Sequence, residues 1–236
     1  MSLLQVSNLH AHYDKSHVLT GVNLEVAAGE IVSVLGRNGS GRSTMLKSLM
    51  GLVPPSAGSI RVQGRELAGE PPHRIARAGI GYVPEERLIF PNLTVQENLA
   101  IGVRAVSEGQ QPWSNAQIFN FFPRLKERRG TKAGNLSGGE QQMLTLCRSL
   151  LGNPKVLMID EPTEGLAPHI VRQLVNVMLE INRRGVSIIL VEQKMTIALQ
   201  VAHRCLIMGR GQIVFQGSPQ QLRDDVAVRR NWLEVA

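Results

Sequence analysis

The chain has 236 residues, 43% of them apolar and 19% charged, which suits one or two domains around a buried core and excludes global disorder. It holds no run of about 18 apolar residues, so no membrane-spanning helix is expected. The formal net charge of +7 comes mostly from scattered bases, and the one dense cluster (Arg124, Lys126, Arg128, Arg129, Lys132) has few aromatic neighbours, so a solvated face is expected there rather than a nucleic-acid groove.

The amino terminus lacks a basic segment, an apolar core and a small-residue cleavage site. No secretory leader is expected, and the protein is expected in the cytosol. Leu4 and Val6, then Val22, Leu24 and Val26, alternate with other positions, the pattern of half-buried antiparallel strands. After a break at 27–30, the apolar run 31–35 reads as a strand buried on both faces. A glycine-rich loop follows, then a helix over 44–50 closed by Gly51. Residues 85–149 have a different character, with helix-like stretches broken at Pro112, Pro123, Gly130 and Gly134. They are expected to form a helical lobe inserted into an α/β core made of 1–84 and 150–236, the whole being one domain. Two further buried strands are expected at 156–159 and 186–191. Between them Ile170, Val171, Leu174, Val177, Met178 and Ile181 recur at helical spacing, with Pro168 near the start and Gly185 past the end. Strand, helix, strand in this order predicts a parallel sheet covered by helices. A hairpin over 206–215 and a last helix opened by Ser218 and Pro219 complete the chain. Cys147 and Cys205 stand in no metal-ligand spacing and are expected as buried thiols of a reducing compartment.

Three segments carry chemistry. The first is Gly36-Arg37-Asn38-Gly39-Ser40-Gly41-Arg42-Ser43-Thr44, between a buried strand and a helix. That is the setting of a phosphate-binding loop: glycines let backbone N–H groups turn inward, and the helix aims its dipole at the same anion. Ser43 is placed to offer a hydroxyl to Mg²⁺. The lysine usual in this spacing is Arg42. Its planar fork either bridges the phosphates or displaces them. The second segment is the apolar strand 156–159 ending in Asp160, Glu161 and Pro162. Asp160 there suits Mg²⁺ held through water, and Glu161 suits polarising a water for in-line attack on a γ-phosphate. The third is Leu136-Ser137-Gly138-Gly139-Glu140-Gln141-Gln142, which reads both as a helix start able to bind an anion and as a capping box, Ser137 with Glu140.

In this order the three segments resemble the ABC ATPases, and the resemblance spans essentially the whole chain. It implies an α/β fold of the P-loop NTPase (RecA-like) kind, with an antiparallel β subdomain and an inserted helical subdomain. It implies two subunits that sandwich two ATP molecules, residues 36–44 holding one ATP and Ser137, Gly138 and Gly139 covering the ATP of a partner. Tyr13 stands at the family's adenine-stacking position. Glu85, counted with Ser43 and Asp160 as a metal ligand, stands where most relatives have a glutamine. Gln193 stands at the switch histidine and joins Glu161 as a catalytic residue, although glutamine cannot take up a proton as histidine can. Ala167 replaces the usual aspartate of the segment 163–167. Glu85, Gln193, the run 165–168 and the stretches 86–99 and 122–128 look most like the ATPases of branched-chain amino acid importers and the related urea and amide importers. The partners so implied are a second ATPase subunit (a copy or a paralogue), transmembrane permeases and, indirectly, a solute-binding protein. The location implied is the cytoplasmic face of a membrane. An ATP-binding regulatory subunit of low turnover is the alternative. A chromosome-maintenance ATPase would carry long heptad insertions, which are missing.

Overall fold

The computed structural model describes residues 2–104 and 112–233. The amino-terminal half-buried alternation forms β1 (Ser2–Tyr13) and β2 (Ser16–Ala27). These pair antiparallel and join β4 (Pro55–Val62) and β5 (Arg65–Glu66) in a sheet of order β2-β1-β4-β5. The apolar runs become β3 (Ile31–Leu35), β7 (Val156–Asp160) and β8 (Ser187–Val191), every residue of each buried. With β6 (Ile80–Val83), β9 (Arg204–Gly209) and β10 (Gln212–Gly217) they make a second sheet of order β10-β9-β3-β8-β7-β6. Its strands run parallel except β10, which returns from β9 as the expected hairpin. The α/β core with an antiparallel β subdomain is therefore as the sequence indicated.

Alternation along these strands divides the interior. Val32, Val34, Met158, Ile189 and Val191 face α1 (Arg42–Leu49) and the antiparallel sheet. Ile31, Leu157, Ile159, Ile188 and Leu190 face the opposite side. There they meet α3 (Val95–Gly102), α4 (Asn115–Phe121), α5 (Pro123–Glu127), α6 (Gly138–Leu151) and α7 (Pro168–Arg183). Successive strand side chains point to opposite faces, so five residues of one strand serve two cores. Full burial of each such Leu, Ile or Val contributes about 2 kcal/mol. The helical lobe thus shares one apolar core with the sheet, and α6 runs through position 150. A third cluster, around Leu35, Cys205, Ile207 and Leu222, is closed by α8 (Met195–Val201), α9 (Pro219–Asp224) and α10 (Val226–Trp232). The short α2 (Pro72–Arg77) precedes β6.

Local signals set the helix ends. Pro168 opens α7, and Gly185 follows its end at φ 90. Ser218 caps α9 through a reciprocal bond with Gln221. Cys147 and Cys205 are buried and unpaired, and burial raises both thiols, Cys205 to about 11. Within the basic cluster Arg124 pairs with Glu127 and Arg128 with Glu140. Among the described residues no helix is long and apolar enough to cross a membrane.

Candidate functional site

The turn from β3 into α1 lies at the carboxyl edge of the central sheet, beside the ends of β7 and β8. Gly36 permits it by close approach, since a Cβ there would sit 2.4 Å from the carbonyl oxygen of Met208. Gly41 permits it by conformation, capping α1 at φ 106 with no side-chain hydrogen bond to the helix. The first-turn N–H groups of α1 therefore have no side-chain cap, and the positive end of its dipole faces outward. These donors open into a cleft of about 280 Å³ lined by residues 38–44 with Glu85, Glu161, Glu164 and Gln193. Uncapped amides and hydroxyls around such a space suit the phosphates of a nucleotide.

Asp160 ends β7 behind this cleft. One of its carboxylate oxygens accepts from the Ser43 hydroxyl at 3.2 Å and the other from the Tyr82 hydroxyl at 3.3 Å. Burial raises its carboxyl above the usual range, and the charge of Glu85 adds to this, against the two hydrogen bonds and Arg42. The oxygen pair Ser43 and Asp160 fits a hard divalent cation such as Mg²⁺.

Glu161 is held at three points. Its backbone adopts φ 41, rare for a residue with a side chain, and its N–H donates to the Val191 carbonyl at 2.9 Å. Arg42 Nη2 donates to Oε1 at 2.8 Å, and Gln193 Nε2 donates to Oε2 at 2.7 Å. The Arg42 fork also donates from Nη1 to the Glu192 carbonyl at 2.8 Å and from Nη2 to Asn38 Oδ1 at 3.4 Å. Arg42 and Glu161 are 5% and 8% exposed, so the pair lies on the cleft floor, shielded from water. Burial pushes the Glu161 carboxyl up to about 7; Glu164 and Glu85 add to the rise, and Arg42 and Gln193 oppose it. Carboxylate oxygens of Glu85, Glu161 and Glu164 lie within 4.8 Å of one another.

The fold therefore gathers Asn38, Gly39, Ser40, Gly41, Arg42, Ser43, Thr44, Glu85, Glu161 and Gln193 around one cleft, with Asp160 bonded to Ser43. Glu85 and Glu164 stand exposed at the rim, their carboxylate oxygens within 4.8 Å of those of the buried Glu161. Tyr13 ends β1, half-exposed and outside the lining, and Arg37 turns away to donate to the Arg230 carbonyl at 3.3 Å. Of the segment 137–139, Ser137 and Gly139 line a separate cleft of about 210 Å³, together with His169 and Ile170. Its capping box is present in full: Ser137 Oγ accepts from the Glu140 N–H, and the Glu140 carboxylate accepts from the Ser137 N–H at 2.8 Å. Arg87 presses on Gly138 so closely that a Cβ there would lie 2.3 Å from the guanidinium. Glu164 and Tyr82 were not foreseen. An acid three positions after Glu161 was the available signal for Glu164, and no sequence pattern pointed to Tyr82.

Away from the cleft, an apolar groove of about 440 Å³ runs between Met50, Tyr82, Phe90, Ile101 and Arg148. Leu52, Leu88, Phe90 and Ile101 are all exposed there, and the Arg148 guanidinium lies 4.9 Å over the Phe90 ring.

Residues 19–164 match the family model described as ABC transporter. The chain is 41% identical to the high-affinity branched-chain amino acid transport ATP-binding protein BraG of Pseudomonas aeruginosa, over 98% of this chain and 99% of that one. It is 35% identical to the probable branched-chain amino acid transport ATP-binding protein LivF of Archaeoglobus fulgidus, over 93% and 94%. It is 34% identical to the lipopolysaccharide export system ATP-binding protein LptB of Haemophilus influenzae, over 99% and 98%. Among solved structures, the ADP conformation of an ATP-binding cassette of an ABC transporter superposes with a TM-score of 0.83 at 26% identity, over 98% of each chain.

Proposed function

The chain belongs to the ABC transporter family, as its ATP-hydrolysing subunit, and from that membership we propose that it energises a membrane importer of branched-chain amino acids. The observation that carries the reading of the site is the convergence of loop 38–44, Glu161 and Gln193 on one cleft. The loop amides and the start of α1 bind the phosphates. Glu161 accepts a hydrogen bond from the attacking water and takes its proton as the new bond to the γ-phosphorus forms and the bond from it to the ADP oxygen breaks, while Gln193 holds the second carboxylate oxygen in place. Ser43 and Asp160, with Glu85 at the rim, are the residues that would hold Mg²⁺, which supplies charge neutralisation along the phosphates.

Ser137 and Gly139 line a cleft separate from that of the loop of their own chain, which supports a role for 137–139 toward nucleotide held by a second ATPase subunit. Tyr13, at its strand end, is then the adenine contact. The apolar groove receives a cytoplasmic segment of a permease. Its wall includes Leu88 and Phe90, close along the chain to Glu85, so a change at the rim of the cleft reaches the docking surface directly. Import of branched-chain amino acids is favoured by the 41% identity to BraG against 34% to LptB, and by Glu85, Gln193 and the run 165–168. Urea or amides are the alternative cargo. A low-turnover ATP-binding partner subunit is the second reading, favoured by Arg42 in the lysine position.

Phosphate release by the purified chain, with and without its permeases, separates engine from passive partner. Uptake of radiolabelled leucine by cells lacking the gene tests the cargo. Unchanged leucine uptake together with lipopolysaccharide retained at the inner membrane would reassign the chain to export.

A further inference from the structure

Resting on the ATPase reading, we propose that Arg42 is a positioning residue for Glu161 and not the loop's phosphate clamp. A lysine at this place would carry a flexible ammonium, a point donor able to swing toward an anion. Arg42 instead spends both ends of a rigid fork on protein acceptors. Nη1 is on the Glu192 carbonyl at 2.8 Å, and Nη2 is on Glu161 at 2.8 Å with Asn38 at 3.4 Å. The carbonyl and the carboxylate belong to residues just beyond two adjacent parallel strands, β7 and β8. The fork therefore ties the catalytic carboxylate to the neighbouring strand end.

Three further observations support this division of labour. The pair is almost fully buried, and parting one member of a buried ion pair leaves an uncompensated charge. Gln193 holds the other carboxylate oxygen at 2.7 Å, so the carboxylate plane is fixed from both sides. Carboxylate oxygens of Glu85 and Glu164 lie within 4.8 Å of those of Glu161, and Arg42 is the cation in hydrogen-bond contact with it among the described residues. The phosphates are left to the uncapped amides of α1 and to the loop backbone.

The two jobs separate in a split between binding and turnover. Arg42→Met, Glu161→Gln and the double variant are compared by calorimetric Kd for ADP and for a non-hydrolysable ATP analogue, and by steady-state phosphate release. Arg42→Met is expected to keep Kd within about threefold and to lower kcat on the order of 10²-fold, the scale of a misplaced catalytic group. In the double variant the Arg42 change adds nothing to the loss caused by Glu161→Gln. Retained nucleotide affinity is itself the control for folding. As a second variant, Arg42→Gln keeps an N–H donor without the charge and is expected to recover part of kcat at unchanged Kd. A Kd weakened by about 30-fold or more in the folded Arg42→Met protein, with kcat at saturation retained, overturns the proposal and leaves the ATPase reading standing. Equal turnover by the wild-type and Glu161→Gln proteins overturns both.

Discussion

Two helix starts in this molecule are candidates for meeting a nucleotide, and they are built in opposite ways. Helix α1 begins after a left-handed glycine, with no side chain capping it. Helix α6 begins after Ser137, and its capping box satisfies the amide of Glu140 and the amide of Ser137 from within. A helix that caps itself is stable without a ligand, and one that leaves its amides open has donors to give. The contrast supports the proposal that the isolated chain binds an anion at α1. Helix α6 has its Ser137 and Glu140 amides already bonded within its own chain.

The strongest way to break the contrast is at the chemistry beside α1. Glu161→Gln is expected to lower phosphate release on the order of 10²- to 10³-fold while nucleotide still binds. A smaller loss would move the catalytic role elsewhere.

Gly41→Ala comes next. Position 41 has φ 106, and a Cβ there meets the Leu19 side chain at 3.1 Å, so the loop must shift at a cost of about 1–3 kcal/mol. ADP affinity, read by calorimetry, is expected to weaken about 10-fold or more.

Ser137→Ala sharpens the other side. Loss of the cap is expected to cost about 1 kcal/mol of stability in a urea melt. ADP affinity of the dilute, monomeric chain should stay unchanged. A weakening comparable to that of Gly41→Ala would erase the distinction between the two helix starts.

The smallest effect concerns pH. Burial tends to raise the Glu140 carboxyl, but hydrogen bonds from Ser137 and the charges of Arg128 and Arg124 hold it below the usual carboxylate range. A depressed folded-state pKa means that the stabilisation is complete above the unfolded value and is lost as pH falls through the folded one. The wild-type protein should therefore exceed Glu140→Gln by about 0.5 kcal/mol at neutral pH, and the gap should close in acid. A gap that persists in acid would show that the carboxylate is not what holds the cap.

Much of this was legible in one dimension. The fully buried runs marked β3, β7 and β8, because strands sandwiched between helices need apolar residues at consecutive positions. The loop 36–44 and the box at 137–140 were legible because cap and turn chemistry is local. β6 was not foreseen: its four residues include Gly81, and so short a run shows no period. The inserted lobe was recognised by its breaks at Pro and Gly, yet nothing in its sequence indicated that α3, α4 and α5 share a core with Ile159 and Leu190.

By itself the sequence determined which groups are present: an uncapped glycine-rich turn, two acids at a strand end, and a self-capped helix start. Each depends on residues within a few positions of one another, where backbone geometry follows from side-chain type. Only the tertiary structure decided what those groups touch. Arg42 meets Glu161 across 119 positions, and Gln193 meets it across 32. Parallel strand pairing sets those meetings, since the register of β7 against β8 brings Asp160 opposite Val191 and the residues after them to one edge. Register comes from burial summed over the whole sheet, and no local pattern encodes it.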